Sequence, residues 1–281
     1  MTRRVALVTD SACYIPGALI ERHSIIVVPL TVHLDGTELA ETAVDLAEFY
    51  AALPNAGSVT TSQPSPGHFA EAYCRASELG AAEILSVHIG ASVSGTVGSA
   101  RLGAGTAPVP VTIVDTGQAS FAEGLCVLAA AEALERGASV EEAAAAARAT
   151  GIAVGNTFVV KGLALARRGG RLVNEAPEAA QGIPVMELGP QGMQVVGSAT
   201  TVEEAVELMA GRVAAAAAVA SRPLRVGVGH GAAPQIAADL RDRIASISGV
   251  GEIIEYQVGP AVGAHLGAGT AGAVFVPRPL S

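Results

Sequence analysis

Short apolar runs alternate with amphipathic stretches through the first half of the chain. Arg4 to Val8, Ser24 to Leu30, Ile84 to Ile89 and Val111 to Asp115 each read as strands. Between them the spacing predicts helices over Pro16 to His23, about Asp45 to Leu53, about Pro66 to Leu79, from near Ser94, and from about Gln118 to Arg136. Ser139 with Glu142 is a capping-box pattern that opens a further helix to about Thr150. Asp35-Gly36, flanked by Val32, Leu34 and Leu39, predicts a hairpin turn. Residues 58–67 are polar and punctuated by Pro64, Pro66 and Gly67, and read as an irregular loop. Strand and helix alternating through short links predict a parallel sheet with helices on both faces.

The rhythm changes in the second half. Gly155 to Val160 reads as a strand, followed by a short helix that Arg168-Gly169-Gly170-Arg171 breaks. Ile183 to Leu188 and Met193 to Ala199 form a strand pair around Gly189-Pro190-Gln191-Gly192. Thr200 or Thr201 caps an alanine-rich helix to about Ser221, with Glu204 placed for a capping box. Leu224 to Val228, Glu252 to Val258 and Ala273 to Val276 are strands, and Pro234 to Ile247 is a helix. The chain is therefore expected to be α/β with two domains. An N-terminal parallel-sheet α/β/α domain would cover residues 1–150, and a C-terminal α+β domain with a mostly antiparallel sheet residues 151–281.

In such parallel sheets, ligands sit beyond the carboxyl ends of the strands. Thr9-Asp10-Ser11, Thr60-Thr61-Ser62, Ser92 to Thr96 and Asp115-Thr116 all fall after strands or in loops, where they could converge on one edge. Ile84 to Ala100 is the most suggestive stretch. A strand there ends in small residues and hands over to a helix, leaving free N–H donors at the positive end of the helix dipole. With the hydroxyls of Ser92, Ser94 and Thr96, this corner suits a carboxylate or phosphate. The plainer alternative is that Ser94 only caps its own helix.

Composition narrows the classes. Half of the 281 residues are hydrophobic, but aromatics make up only 3% and there is no Trp. An apolar cavity must then be lined by aliphatic side chains, and base stacking has little material. A net charge of −9 argues further against a polyanion binder. Cys13, Cys74 and Cys126 show no paired spacing, which fits a reduced, cytoplasmic setting with buried packing thiols. MTRRVALVTD has too short an apolar run for a signal peptide, and no run reaches membrane-spanning length.

Several motifs nearly fit other chemistries. Gly90-x-x-x-x-Gly95 lacks the lysine of a P-loop. Gly90 to Ser94 has serine where a nucleophile elbow needs glycine. Gly267-Ala268-Gly269-Thr270-Ala271-Gly272 matches a dinucleotide fingerprint but precedes a strand, whereas Gly227 to Ala232 lies between a strand and a helix. The six histidines show no metal-ligand spacing, and most are expected at or near the surface. His265 stands apart in a glycine-rich stretch, where an imidazole could donate to an anion or be held by backbone carbonyls as a loop histidine. Arg167, Arg168 and Arg171 form either a solvated helix end or an anion or partner contact.

Taken in order, Thr9-Asp10-Ser11, Val28-Pro29-Leu30, Thr60 to Gly67, Ser94-Gly95-Thr96, Gly169-Gly170-Arg171 and Gly259-Pro260 to Gly267 with His265 resemble the DegV family of bacterial fatty-acid-binding proteins. The resemblance spans nearly the whole chain. It implies a two-domain α/β protein that buries a long acyl chain between or beneath its domains. It implies that Thr61 and Ser94 hold the fatty-acid carboxylate, that His265 lies near it, and that Arg171 faces a partner kinase or the incoming phosphate. The family's bound fatty acid is phosphorylated by a separate ATP-dependent fatty acid kinase, so no catalytic residue, metal or cofactor is expected beyond the lipid itself. Ala12-Cys13-Tyr14, His88 to Ala91 and Ala268 depart from the family's usual residues. The alternative is a serine esterase or acyltransferase using Ser94 and His265.

Overall fold

A computed structural model describes residues 4–160, 182–189 and 192–278. The chain divides into two compact units, Met1–Ala43 with Thr60–Ile152, and Val44–Val59 with Ala153–Ser281.

The first unit is built on a four-stranded sheet in the order β2-β1-β6-β7, formed by β1 (Val5–Asp10), β2 (Ile26–Val28), β6 (Glu83–His88) and β7 (Val111–Asp115). All its pairings are parallel. A parallel sheet must be covered on both faces, because crossover connections place helices there. Val8 and Ile84 pack on one face with Phe69 and Tyr73 of α3 (Pro66–Glu78) and Ala100 of α4 (Thr96–Ala104). Gly103 lets these two helices touch, since a Cβ there would lie 2.7 Å from the carbonyl oxygen of Pro66. On α5 (Phe121–Glu135), nearly every residue up to Ala131 is buried. α1 (Gly17–Arg22) and α6 (Val140–Ala153) complete the helices of this unit. Ser139 and Glu142 make the reciprocal capping bonds expected of them, Glu142 N–H to Ser139 Oγ at 3.2 Å and Ser139 N–H to Glu142 Oε2 at 2.8 Å.

A second, three-stranded sheet, β4-β3-β5, joins β3 (Thr31–Leu34), β4 (Thr37–Ala40) and β5 (Val59–Ser62). The β3–β4 turn falls on Asp35 and Gly36, both at positive φ as a tight hairpin requires. β5 corrects the expectation of an irregular loop at residues 58–67. Its four residues gain strand structure from pairing with β3, a long-range contact that their polar sequence does not announce.

The second unit carries a six-stranded sheet in the order β10-β9-β8-β13-β11-β12. Its strands are β8 (Gly155–Val159), β9 (Ile183–Gly189), β10 (Gly192–Ala199), β11 (Leu224–Gly231), β12 (Val250–Gln257) and β13 (Thr270–Pro277). The pairings are antiparallel except β11 with β12. One face packs under α7 (Val202–Val219) and α8 (Pro234–Ala245), with Val159, Val185, Val226, Val228, Met209, Leu240 and Ile244 in the core. Side chains alternate along a strand, so Phe158, Val160, Met186, Leu188, Met193 and Val195 point the other way, where they form a separate apolar cluster. α2 (Leu46–Ala52) and α9 (Pro260–Leu266) belong to this unit. Among the described residues no helix is long and apolar enough to cross a membrane.

Candidate functional site

The carboxyl ends of β1, β6 and β7 come together in register, with Thr9 opposite Val87 and His88 opposite Asp115. Thr9, Asp10 and Ser11 are buried there, and each ties down a different segment. The Thr9 hydroxyl donates to Glu123 Oε1 at 3.2 Å. Asp10 Oδ1 accepts from the N–H of Ala12 at 3.1 Å, and Oδ2 from the Ile89 N–H at 3.1 Å and His88 Nδ1 at 3.0 Å. Ser11 Oγ donates to Glu41 and accepts from the Leu30 N–H at 2.9 Å. This segment is thus an internal clasp.

His88 is fully buried, contrary to the surface placement expected for most of the histidines. Its Nε2 lies 2.6 Å from Ser86 Oγ, which lies 2.9 Å from the Tyr73 hydroxyl, and Phe69 meets the imidazole edge-on. One donor direction satisfies the whole chain: Tyr73 donates to Ser86, Ser86 to Nε2, and Nδ1–H to Asp10. Burial pushes the Tyr73 phenol up to about 12, with the Ser86 contact opposing it. Asp10, His88 and Ser86 are connected as in a hydrolytic triad, but all three are sealed at 0% exposure. A serine that no substrate can reach is a strut.

Behind this network lies Glu123, also fully buried. Burial first, then the negative charge of Asp10, lifts its carboxyl well above the usual range, with the Thr9 hydroxyl opposing. Its Oε2 finds no donor, because Asp10 on that side is itself an acceptor. The two carboxyls can bond only through a shared proton, and since both Asp10 oxygens already accept from donors, Glu123 is the side that carries it. Cys13 and Cys126 are buried and their thiols raised, chiefly by desolvation and then by Glu123; Cys74 is exposed, against the expectation of a packing role.

The turn from β6 into α4 is held from both sides. Ile89 N–H goes to Asp10, Gly90 N–H to the Gln118 carbonyl at 2.7 Å, and Ala91 N–H to Asp115 Oδ1 at 3.1 Å. Val93 and Ser94 N–H both turn back to the Gly90 carbonyl. A Cβ at Gly90 would lie 2.7 Å from the Gly117 backbone, so only glycine fits. The helix starts at Thr96, two residues later than expected, with Gly95 as its cap and no capping side chain. The first intrahelical bond is Ser99 N–H to Gly95 C=O, so the N–H groups of Val97 and Gly98 lie ahead of the ladder. Ser94 Oγ sits 2.8 Å from Thr96 Oγ1 and accepts from the Thr96 N–H at 3.3 Å. Its partners are thus the hydroxyl and N–H of Thr96, while the imidazoles that meet a serine in this unit are His88, at Ser86, and His33, whose Nε2 lies 3.3 Å from Ser62 Oγ. Thr61 is half-buried on β5. Two residues on, the Gln63 side chain lies against Gly95, where a Cβ would meet its Nε2 at 2.7 Å. The strand bearing Thr61 and the loop bearing Ser94 therefore adjoin.

In the second unit, His265 lies half-buried in the last turn of α9, where a loop was expected. Sequence reading missed Tyr50, which fixes this segment. Its hydroxyl donates to the Val258 carbonyl at 2.8 Å, and the ring fills the space over Gly231 and Gly263. Tyr256 likewise covers Gly229. Gly229 and Gly231 are thus seats for tyrosines within β11, a strand and not the strand-to-helix turn that a nucleotide fingerprint needs. Gly263→Val should drive Tyr50 off and cost about 1–3 kcal/mol by overpacking, read by urea denaturation. Leu266, next to His265, packs on the apolar cluster of Val160, Met186 and Met193. Arg167, Arg168 and Arg171 lie outside the described residues. Among the described residues no group of His, Cys, Asp or Glu is placed to hold a metal ion.

The DegV family profile, described as that of an uncharacterised protein family, matches residues 4–278. A DegV domain-containing protein of Streptomyces coelicolor is 39% identical over 289 aligned positions, covering 99% of this chain and all of the relative. Among solved structures, a DegV family protein from Thermus thermophilus described for fatty acid binding superposes with a TM-score of 0.91 at 32% identity, covering 98% of this chain and all of that one. DegV from Bacillus subtilis, described as a fatty acid binding protein, superposes at 0.86 with 26% identity over 98% of this chain and all of its own. With the parallel sheet, the mostly antiparallel sheet and the full-length match in agreement, the chain belongs to the DegV family.

Proposed function

We propose that this protein binds a long-chain fatty acid and presents its carboxylate to a separate ATP-dependent fatty acid kinase. Two relatives with the same fold are described as fatty acid binding proteins. The observation that carries the reading to this chain is the apolar cluster in the second unit. Val160, Met186 and Met193 are buried there with Phe158, Leu188 and Val195 half-buried around them, an apolar cluster containing two methionines, and Leu266 links it to a half-buried imidazole. Methionine adapts its shape to flexible apolar partners. Each methylene removed from water contributes about 0.8 kcal/mol, so the chain supplies most of the affinity.

The head group is assigned to the hydroxyls of Thr61 and Ser94 and to His265. A carboxylate taken out of water needs such donors. Arg171 is assigned to the kinase or the incoming phosphate. The protein itself performs no bond-breaking step in this reading and works in the cytoplasm.

Native mass spectrometry of the purified protein should show a bound long-chain fatty acid. Ser94→Ala and Thr61→Ala should each weaken fatty acid binding roughly 10- to 100-fold, the size of a lost hydrogen bond to a charged group. No co-purified lipid, together with no uptake in titration, would overturn the proposal.

A further inference from the structure

We propose that Asp10 and Asp115 are positioning residues for the carboxylate end of the ligand, acting through the β6–α4 turn that carries Ser94. The inference rests on the reading that Ser94 grips the carboxylate. These aspartates end the two strands that flank β6. From one side, Asp10 Oδ2 holds the Ile89 N–H and, through His88, the end of β6. From the other, Asp115 Oδ1 holds the Ala91 N–H and the Gly117 N–H at 3.0 Å. The His88 carbonyl closes the frame by accepting from the Thr116 hydroxyl at 2.8 Å and the Thr116 N–H at 3.2 Å.

Ile89 and Ala91 at the head of the turn are therefore pinned by aspartates at the ends of neighbouring strands, and Gly90 between them by the Gln118 carbonyl in the loop that follows. The Val93 and Ser94 N–H groups then turn back to the Gly90 carbonyl, so the position of Ser94 follows from that of the pinned residues. A hydroxyl and two helix N–H groups favour an anion only if their directions are set before it arrives. Asp10→Asn is nearly isosteric, yet its amide would place a donor against a donor on one side of this frame. The turn must then shift at Ala12 or at Ile89. Asp115 is exposed, so Asp115→Ala leaves the core intact while releasing Ala91 and Gly117.

The test compares a fatty acid with the primary alcohol of the same chain, which shares the tail and lacks the charge. A positioning role lowers acid affinity roughly tenfold in Asp10→Asn and Asp115→Ala, the size of one charge-assisted bond, with alcohol affinity held within about twofold. Asp115→Asn keeps an acceptor oxygen and should restore the wild-type acid-to-alcohol ratio. If Asp10→Asn does not fold, the Asp115 pair decides. Acid and alcohol affinities falling together, or an unchanged ratio in the aspartate variants while Ser94→Ala lowers it, overturns the inference and spares the binding reading. A ratio that Ser94→Ala also leaves unchanged removes the carboxylate assignment and this inference with it.

Discussion

His88→Leu should destabilise the protein by about 2–6 kcal/mol, the cost of leaving a buried carboxyl short of a donor and a buried hydroxyl short of its acceptor, at about 1–3 kcal/mol for each group. Leucine fills a similar volume, so packing alone does not set the result. Asp10 would keep its backbone donors from Ala12 and Ile89 but lose the imidazole, at full burial. Ser86 and Tyr73 would lose the acceptor at the end of their chain. His88→Gln offers both a donor and an acceptor and should recover at least half of the loss. Urea unfolding of the two variants reads the difference. A His88→Leu protein within about 1 kcal/mol of wild type would mean that the network contributes shape and no net polar energy.

Local signals carried most of the fold into the sequence. The Ser139–Glu142 capping box and the Asp35-Gly36 turn are decided by residues a few positions apart and form as expected, and at the alanine-rich helix Thr201 supplies the cap while Glu204 reaches back to the Thr200 N–H. What the sequence hid depends on distant partners. β5 is a strand because β3 pairs with it. α9, only seven residues long and containing Gly263, is held by Tyr50 from two hundred positions away, through the carbonyl of Val258.

The buried network did leave a trace. In β6 the alternation places Ile84, Ser86 and His88 on one face, so two polar residues share a face that the neighbouring Val8 marks as core. Two such groups in apolar surroundings require each other or a third partner, and Asp10 at the end of the adjacent strand is that partner. Glu123 left a clearer one, as the single charged residue in the apolar run from Phe121 to Ala131. The Thr9-Asp10-Ser11 segment, by contrast, looks from sequence like ligand-facing polar residues. Its burial shows that polar residues at a strand end can serve the loops around a site as readily as the site itself.

Glu123→Gln should stabilise the protein at neutral pH, by an amount that grows with pH. The folded-state carboxyl is raised by burial and by Asp10, so the native chain holds a proton that the unfolded chain releases. The contribution of that proton is complete below the unfolded value of about 4.3 and is lost as pH rises, at up to about 1.4 kcal/mol per unit, until the folded pKa is passed. Glutamine has no proton to lose. Its carbonyl can accept from Thr9 as Glu123 Oε1 does, and its amide supplies the donor that Oε2 lacks toward Asp10. Chemical denaturation from about pH 4 to about pH 8 should show the two proteins alike at the acid end and diverging above it. Parallel curves would show that Glu123 holds its proton no more tightly in the folded chain than in the unfolded one, and would overturn this account of its burial.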